Sequence, residues 1–204
     1  MVLTHGKPRG TRLKLYSFKS LFCCFVFVSS LLFGHTVSAN TEYETQAKNI
    51  ISEFKQALQT ELKSAIKLGG FEKAIHVCNE KAPSIQAKLL SKEGVHIGRT
   101  SLKLRNQNNA PDDWEKSILN QFEISLEKGV AFDQLETSLE TDQTYRFMKA
   151  IPMQGICMNC HGTNVKPDLY TVIQRYYPDD QAIGFRGQDI RGAFTVSIPI
   201  KPIN

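Results

Sequence analysis

The sequence predicts an α+β fold, with a long N-terminal helix followed by an antiparallel sheet flanked by helices. Three observations carry that expectation. Apolar residues recur at three- and four-residue intervals between 44 and 90, the chain closes on a two-residue alternation, and "GICMNCHG" at 155–162 interrupts the strands with a short helical turn.

The first segment stands apart from the rest. Lys7, Arg9, Arg12, Lys14 and Lys19 precede an apolar block from Leu21 to Gly34, and "TVSAN" places Val37 and Ala39 as the small residues of a secretory cleavage site. We expect a signal peptide over 1–39, cleaved after Ala39, and a single domain over 40–204 exported to the periplasm. The apolar block is shorter than the roughly twenty residues that span a bilayer, so no stable membrane insertion is expected after cleavage. With all five surplus cations in that leader, residues 40–204 balance 20 Lys and Arg against 20 Asp and Glu. A neutral domain of this kind gives no sign of a nucleic-acid partner or an anionic membrane surface.

Ala47, Ile50, Ile51, Phe54, Leu58, Leu62, Ala65 and Ile66 form the stripe of the first helix, which Gly69-Gly70 ends. A second helix over 71–90 carries Phe71, Ile75, Cys78, Ala82, Ile85 and Leu89 at alternating steps of four and three. Pro83 lacks an amide proton and is expected to distort this helix one turn from Cys78. "GVHIGRTSLKLRN" reads as one or two extended segments broken at Gly98, and "APDDW" starts a helix running through Ile118, Leu119, Phe122 and Leu126. "AFDQLETSLE" and "QTYRFMKAIPM" read as paired strands, and "DLYTVIQRYY" as a helix. "GAFTVSIPI" is the last strand, with Phe194, Val196, Ile198 and Ile200 on one face and Thr195 and Ser197 on the other.

Cysteine usage concentrates the chemistry. Removing the leader leaves Cys78, Cys157 and Cys160, an odd number for an oxidising compartment. Two cysteines three positions apart with a histidine after the second is the spacing that attaches c-type haem: the thiols share one face of a helical turn and His161 reaches the iron. The rival reading is a disulfide across "CMNC", which lacks its usual strand-then-helix setting because Pro152 and Gly155 precede it. His161 is expected to bind iron through one ring nitrogen and to donate the other proton to a carbonyl, with the "NVKPD" loop as the nearest source.

The candidates for the opposite axial position are Cys78, His76, His96, Met148 and Met153. His76 lies roughly 200° around the helix from Cys78 and should face solvent. His96 reads as a partly exposed strand residue, and Met148 and Met153 as core fillers. Cys78 is favoured because it is unpaired, lies on the packing stripe and stands beside the helix distortion expected at Pro83. A thiolate there stabilises ferric iron and lowers the potential. Arg99, Arg105, Arg175, Arg186 and Arg191 are candidate partners for haem propionates, with Arg99 and Arg191 preferred because each adjoins a glycine on an expected strand.

"CNEKAP" from Cys78, "GRTSLKLRNQNNAPDDWE" from Gly98, "RFMKAIPMQGICMNCHG" from Arg146 and "GQDIRGAFTVSIPI" from Gly187 resemble a bacterial and cyanobacterial family of PAS-like monohaem cytochromes c. Its members occur alone or as the extracytoplasmic input half of histidine kinases and chemoreceptors. The resemblance covers nearly all of 44–200. It implies a PAS-like sheet flanked by helices, one covalent haem c at Cys157, Cys160 and His161, and a role at the iron for the cysteine at position 78. No transmembrane helix or output domain is expected after the last strand. The function expected first is periplasmic electron transfer with a redox partner protein. A haem-based redox or gas sensor, in which Cys78 leaves on reduction, a diatomic ligand binds and a partner protein is signalled, is the alternative. A haem enzyme ranks third, because no distal acid–base pair is evident.

Overall fold

The computed structural model describes residues 39–90 and 94–200. The leader expected over 1–39 lies outside these residues apart from Ala39, which opens the first helix. Helix α1 (Ala39–Leu90) is two limbs joined at Gly69 and Gly70. Gly70 has φ 70° and ψ −166°, a region side-chain-bearing residues avoid, so the glycine pair ends the first limb as the sequence suggests. Pro83 does not interrupt the second limb: Gly69 and Gly70 are the non-helical residues inside α1. Packing outweighs the hydrogen bond that proline removes, with Ile75 held against Leu169, Ile173 and Tyr177, and Ile85 and Leu89 against the sheet.

Strands β1 (His96–Thr100), β2 (Glu136–Glu140), β3 (Thr144–Pro152) and β4 (Ile190–Pro199) form one antiparallel sheet in the order β1-β4-β3-β2. Gly98 does not break β1; it pairs with Thr195 inside a continuous ladder. The extended reading of "LKLRN" gives way to bends, and "FDQ" forms a 3-10 turn (Phe132–Gln134) ahead of β2.

Both faces of the sheet are covered. Ala47, Ile51 and Phe54 of α1 pack on Ile97, Phe147, Phe194 and Val196. On the other face Ile118, Leu119 and Phe122 of α2 (Asp113–Glu127) meet Met148, Ala150, Ile190 and Ala193. Helix α2 starts on a capping box in which Asp112 accepts from the Glu115 amide at 2.9 Å and Glu115 accepts from the Asp112 amide at 3.1 Å. This helix covers the second face of β4, on which the alternation puts Thr195 and Ser197. Thr195 is buried and donates to Glu115 Oε1 at 2.6 Å.

A 3-10 turn (Gly155–Cys157) runs into the one-turn helix α3 (Met158–His161), and α4 (Pro167–Tyr176) follows with proline in its first turn. Helix α4 packs on the second limb of α1, so the Cys-x-x-Cys-His segment lies beside the helix that carries Cys78. Among the described residues no helix is long and apolar enough to cross a membrane.

Candidate functional site

Between α1, the sheet and the Cys-x-x-Cys-His segment is a cavity of about 960 Å³, at the upper end of the range for small-molecule and cofactor sites. Cys157, Cys160 and His161 line it from one side, and Cys78 lines it from the second limb of α1 together with Ile75 and Ala82. Phe54, Leu58 and Leu62 of the first limb and Phe194 of the sheet supply apolar wall. All three cysteines are free and half-buried. Burial pushes the Cys160 thiol up to about 11 and raises the Cys78 thiol, against the pull of Arg99 and Arg105.

His161 is fixed from outside the cavity wall. Its Nδ1 donates to the Ala182 carbonyl at 2.7 Å, since a carbonyl only accepts, and this tautomer leaves the Nε2 lone pair free for a metal. The acceptor comes from the loop after α4 and not from "NVKPD": that loop leads away into α4, while the 182–185 backbone returns to α3. The Gly184 amide donates to the Gly162 carbonyl and the Phe185 amide to the His161 carbonyl, both at 3.0 Å. Burial, then Arg191 and Arg105, hold the imidazole well below its ordinary pKa, so it is neutral and metal-competent.

Arg99, Arg105 and Arg191 line the cavity; Arg175 and Arg186 are exposed elsewhere. Arg99 lies beside Cys78 and Tyr177, its guanidinium carbon 6.0 Å from the Phe54 ring centre. Arg191 sits 5.3 Å over the Phe185 ring, its pKa lowered to about 9 by burial and by Arg105 and Arg99. Arg105 is engaged differently, forking onto Asp180 with Nε 3.0 Å from Oδ1 and Nη2 3.1 Å from Oδ2. Thiols, a neutral imidazole, apolar walls and lining arginines are a donor set that suits a haem.

The other axial candidates fall outside the cavity wall. Met148 is fully buried under α2, and Met153 packs with Ala182 and Phe185. His96 is exposed on β1, and His76 is half-exposed, 3.3 Å from Glu80 and edge-on to Tyr176. Ala182 and Asp180 went unread in the sequence. A backbone carbonyl leaves no side-chain signature, and Asp180 sits in a loop whose composition marks only a turn.

A family model described as Tll0287-like matches residues 36–199. Among solved structures the chain is similar to the cyanobacterial heme-protein Tll0287, with a TM-score of 0.60 and 25% identity over 81% of this chain and 100% of that one. No curated protein matches.

Proposed function

The chain belongs to the Tll0287-like family, and from that premise we propose that it is a monohaem c-type cytochrome acting in electron transfer in the periplasm, exported by a leader over 1–39. The observation that carries the reading is the convergence of Cys78, Cys157, Cys160 and His161 on one cavity. The relative's description as a heme-protein supports it. Bound there, the haem supplies a one-electron ferric/ferrous couple.

The chain's own residues then have separate tasks. Cys157 and Cys160 would hold the porphyrin through thioethers, and His161 Nε2, its ring oriented by Ala182, would ligate the iron. Cys78 would supply a second iron ligand as thiolate, which would favour the ferric state. Arg99, Arg105 and Arg191 line the wall as candidate partners for the two haem propionates. With Arg105 engaged on Asp180, Arg99 and Arg191 are the arginines that receive them. Phe54, Leu58 and Leu62 exclude water.

Holoprotein from a host competent for cytochrome maturation tests the proposal. The expected result is an intact mass of polypeptide plus one haem and a ferric low-spin spectrum of His/thiolate type. A colourless product with the mass of bare polypeptide refutes it. Exposure of the ferrous form to carbon monoxide separates carrier from sensor: a carrier that keeps Cys78 bound resists ligation, and ready binding transfers the assignment to a sensor.

A further inference from the structure

Arg105 has bonds that cofactor binding leaves unused. Besides Asp180, its Nη2 donates to the Cys160 carbonyl at 2.6 Å and to the Ala182 carbonyl at 3.2 Å. Asp180 Oδ1 accepts from the Ala182 amide at 2.9 Å, and the Leu104 carbonyl accepts from the Gln181 amide at 2.7 Å. Ala182 is therefore clamped at both ends, its N–H by Asp180 and its carbonyl by Arg105 and by His161 Nδ1 at 2.7 Å. The pair is buried, with side chains 12% and 1% exposed. Desolvation makes such a pair a weak source of stability, so its geometry calls for another role.

We propose that Arg105, braced by Asp180, is a positioning residue for His161: it fixes the Cys160–His161 peptide and shares the Ala182 carbonyl, setting the orientation and donor strength of the imidazole. The inference rests on the haem reading above. A carbonyl that already accepts from a guanidinium is a weaker acceptor for a second donor. The Nδ1 proton then stays on the ring, the imidazole keeps little imidazolate character, and the ferrous state is favoured relative to a protein without the clamp. Arg105 is thus removed from the propionate candidates, its Nε and Nη2 both engaged.

Holoproteins carrying Arg105→Ala, Arg105→Lys and Asp180→Asn, with exposed Arg175→Ala as control, are compared by potentiometric titration and by NMR exchange of the His161 Nδ1 proton in the ferrous state. Arg105→Ala is expected to shift the ferric/ferrous ratio about tenfold toward ferric, about 59 mV for one electron. Arg105→Lys keeps the charge without the fork, so a shift in the same direction separates geometry from charge. Nδ1 proton exchange is expected to slow about tenfold in Arg105→Lys and Asp180→Asn, because the released carbonyl is the stronger acceptor, and these variants carry the test if Arg105→Ala does not accumulate. Haem-bearing variants with unchanged potential and unchanged exchange overturn this inference alone. Wild-type protein without covalent haem overturns it together with the reading on which it rests.

Discussion

Replacing Cys78 by alanine removes the sulfur from the wall opposite His161 and leaves the backbone of α1 undisturbed. The thiol lies on the stripe between Ile75 and Ala82, and alanine is the best helix former, so the fold should lose only about 1 kcal/mol. The electronic effect is larger. Burial raises the pKa of the unligated thiol, with Arg99 pulling the other way, whereas on the proposed reading ferric iron would bind the thiolate and invert that preference. Two unit charges about 4 Å apart at an effective dielectric near 20 interact by about 4 kcal/mol. Arg99 is present in wild type and variant alike and cancels from the difference, so this corresponds to about 170 mV for one electron.

Spectroelectrochemical titration of the holoprotein should therefore show Cys78→Ala with a potential about 170 mV higher than wild type. Electron paramagnetic resonance should show the thiolate-type ferric signal lost. His76→Ala should change neither, because that ring faces Glu80 and Tyr176 at a half-exposed site. An unchanged potential and ferric signal in Cys78→Ala, or a changed one in His76→Ala, refutes the axial assignment.

Met148→Ala should cost about 2–5 kcal/mol in urea unfolding and leave the ferric spectrum intact, because this side chain is fully buried under α2 and away from the cavity. Gly192→Ala should destabilise by about 1–3 kcal/mol: at φ 153° an added Cβ runs into the Thr100 carbonyl, forcing β1 from β4, and circular dichroism melts will report it. Acid should unfold the protein through Asp112 and Glu136. Desolvation opposes the charged form of each but is outweighed, for Asp112 by the Glu115 amide and Arg146 and for Glu136 by Lys149 and Lys48, so both carboxyls titrate below their ordinary 3.8 and 4.5. A depressed folded pKa contributes stability above the ordinary value that is lost as pH falls through the folded one. The urea midpoint should thus hold above about pH 5 and decline below about pH 4, and Asp112→Asn with Glu136→Gln should flatten the decline.

What the sequence made legible was chemistry carried by side chains at fixed spacing. The thiols and imidazole of "CMNCH" are adjacent in the chain, and Cys78 announced itself by its place in a helical stripe. Both signals are local, and the fold had only to bring two segments together. Two misreadings share a different cause. Pro83 and Gly98 were judged by intrinsic preference, yet packing against α4 and the sheet, and pairing with Thr195, overrode it. The alternation groups Thr195 and Ser197 on one face but does not report whether that face is covered. The order β1-β4-β3-β2 makes β4 an interior strand, and α2 covers its second side. The anchor of His161 was invisible for a deeper reason. Ala182 acts through its backbone carbonyl, 21 residues downstream, and depends on a guanidinium at 105 and a carboxylate at 180 to stay in place. A pattern along the chain can disclose which atoms bind a metal, but the groups that set the strength of that bond are selected by the return path of a loop. The inner ligands and their supports are therefore best separated by experiment. A Cys78 variant should alter the ferric signal itself, whereas an Arg105 variant should keep the signal type and move the potential.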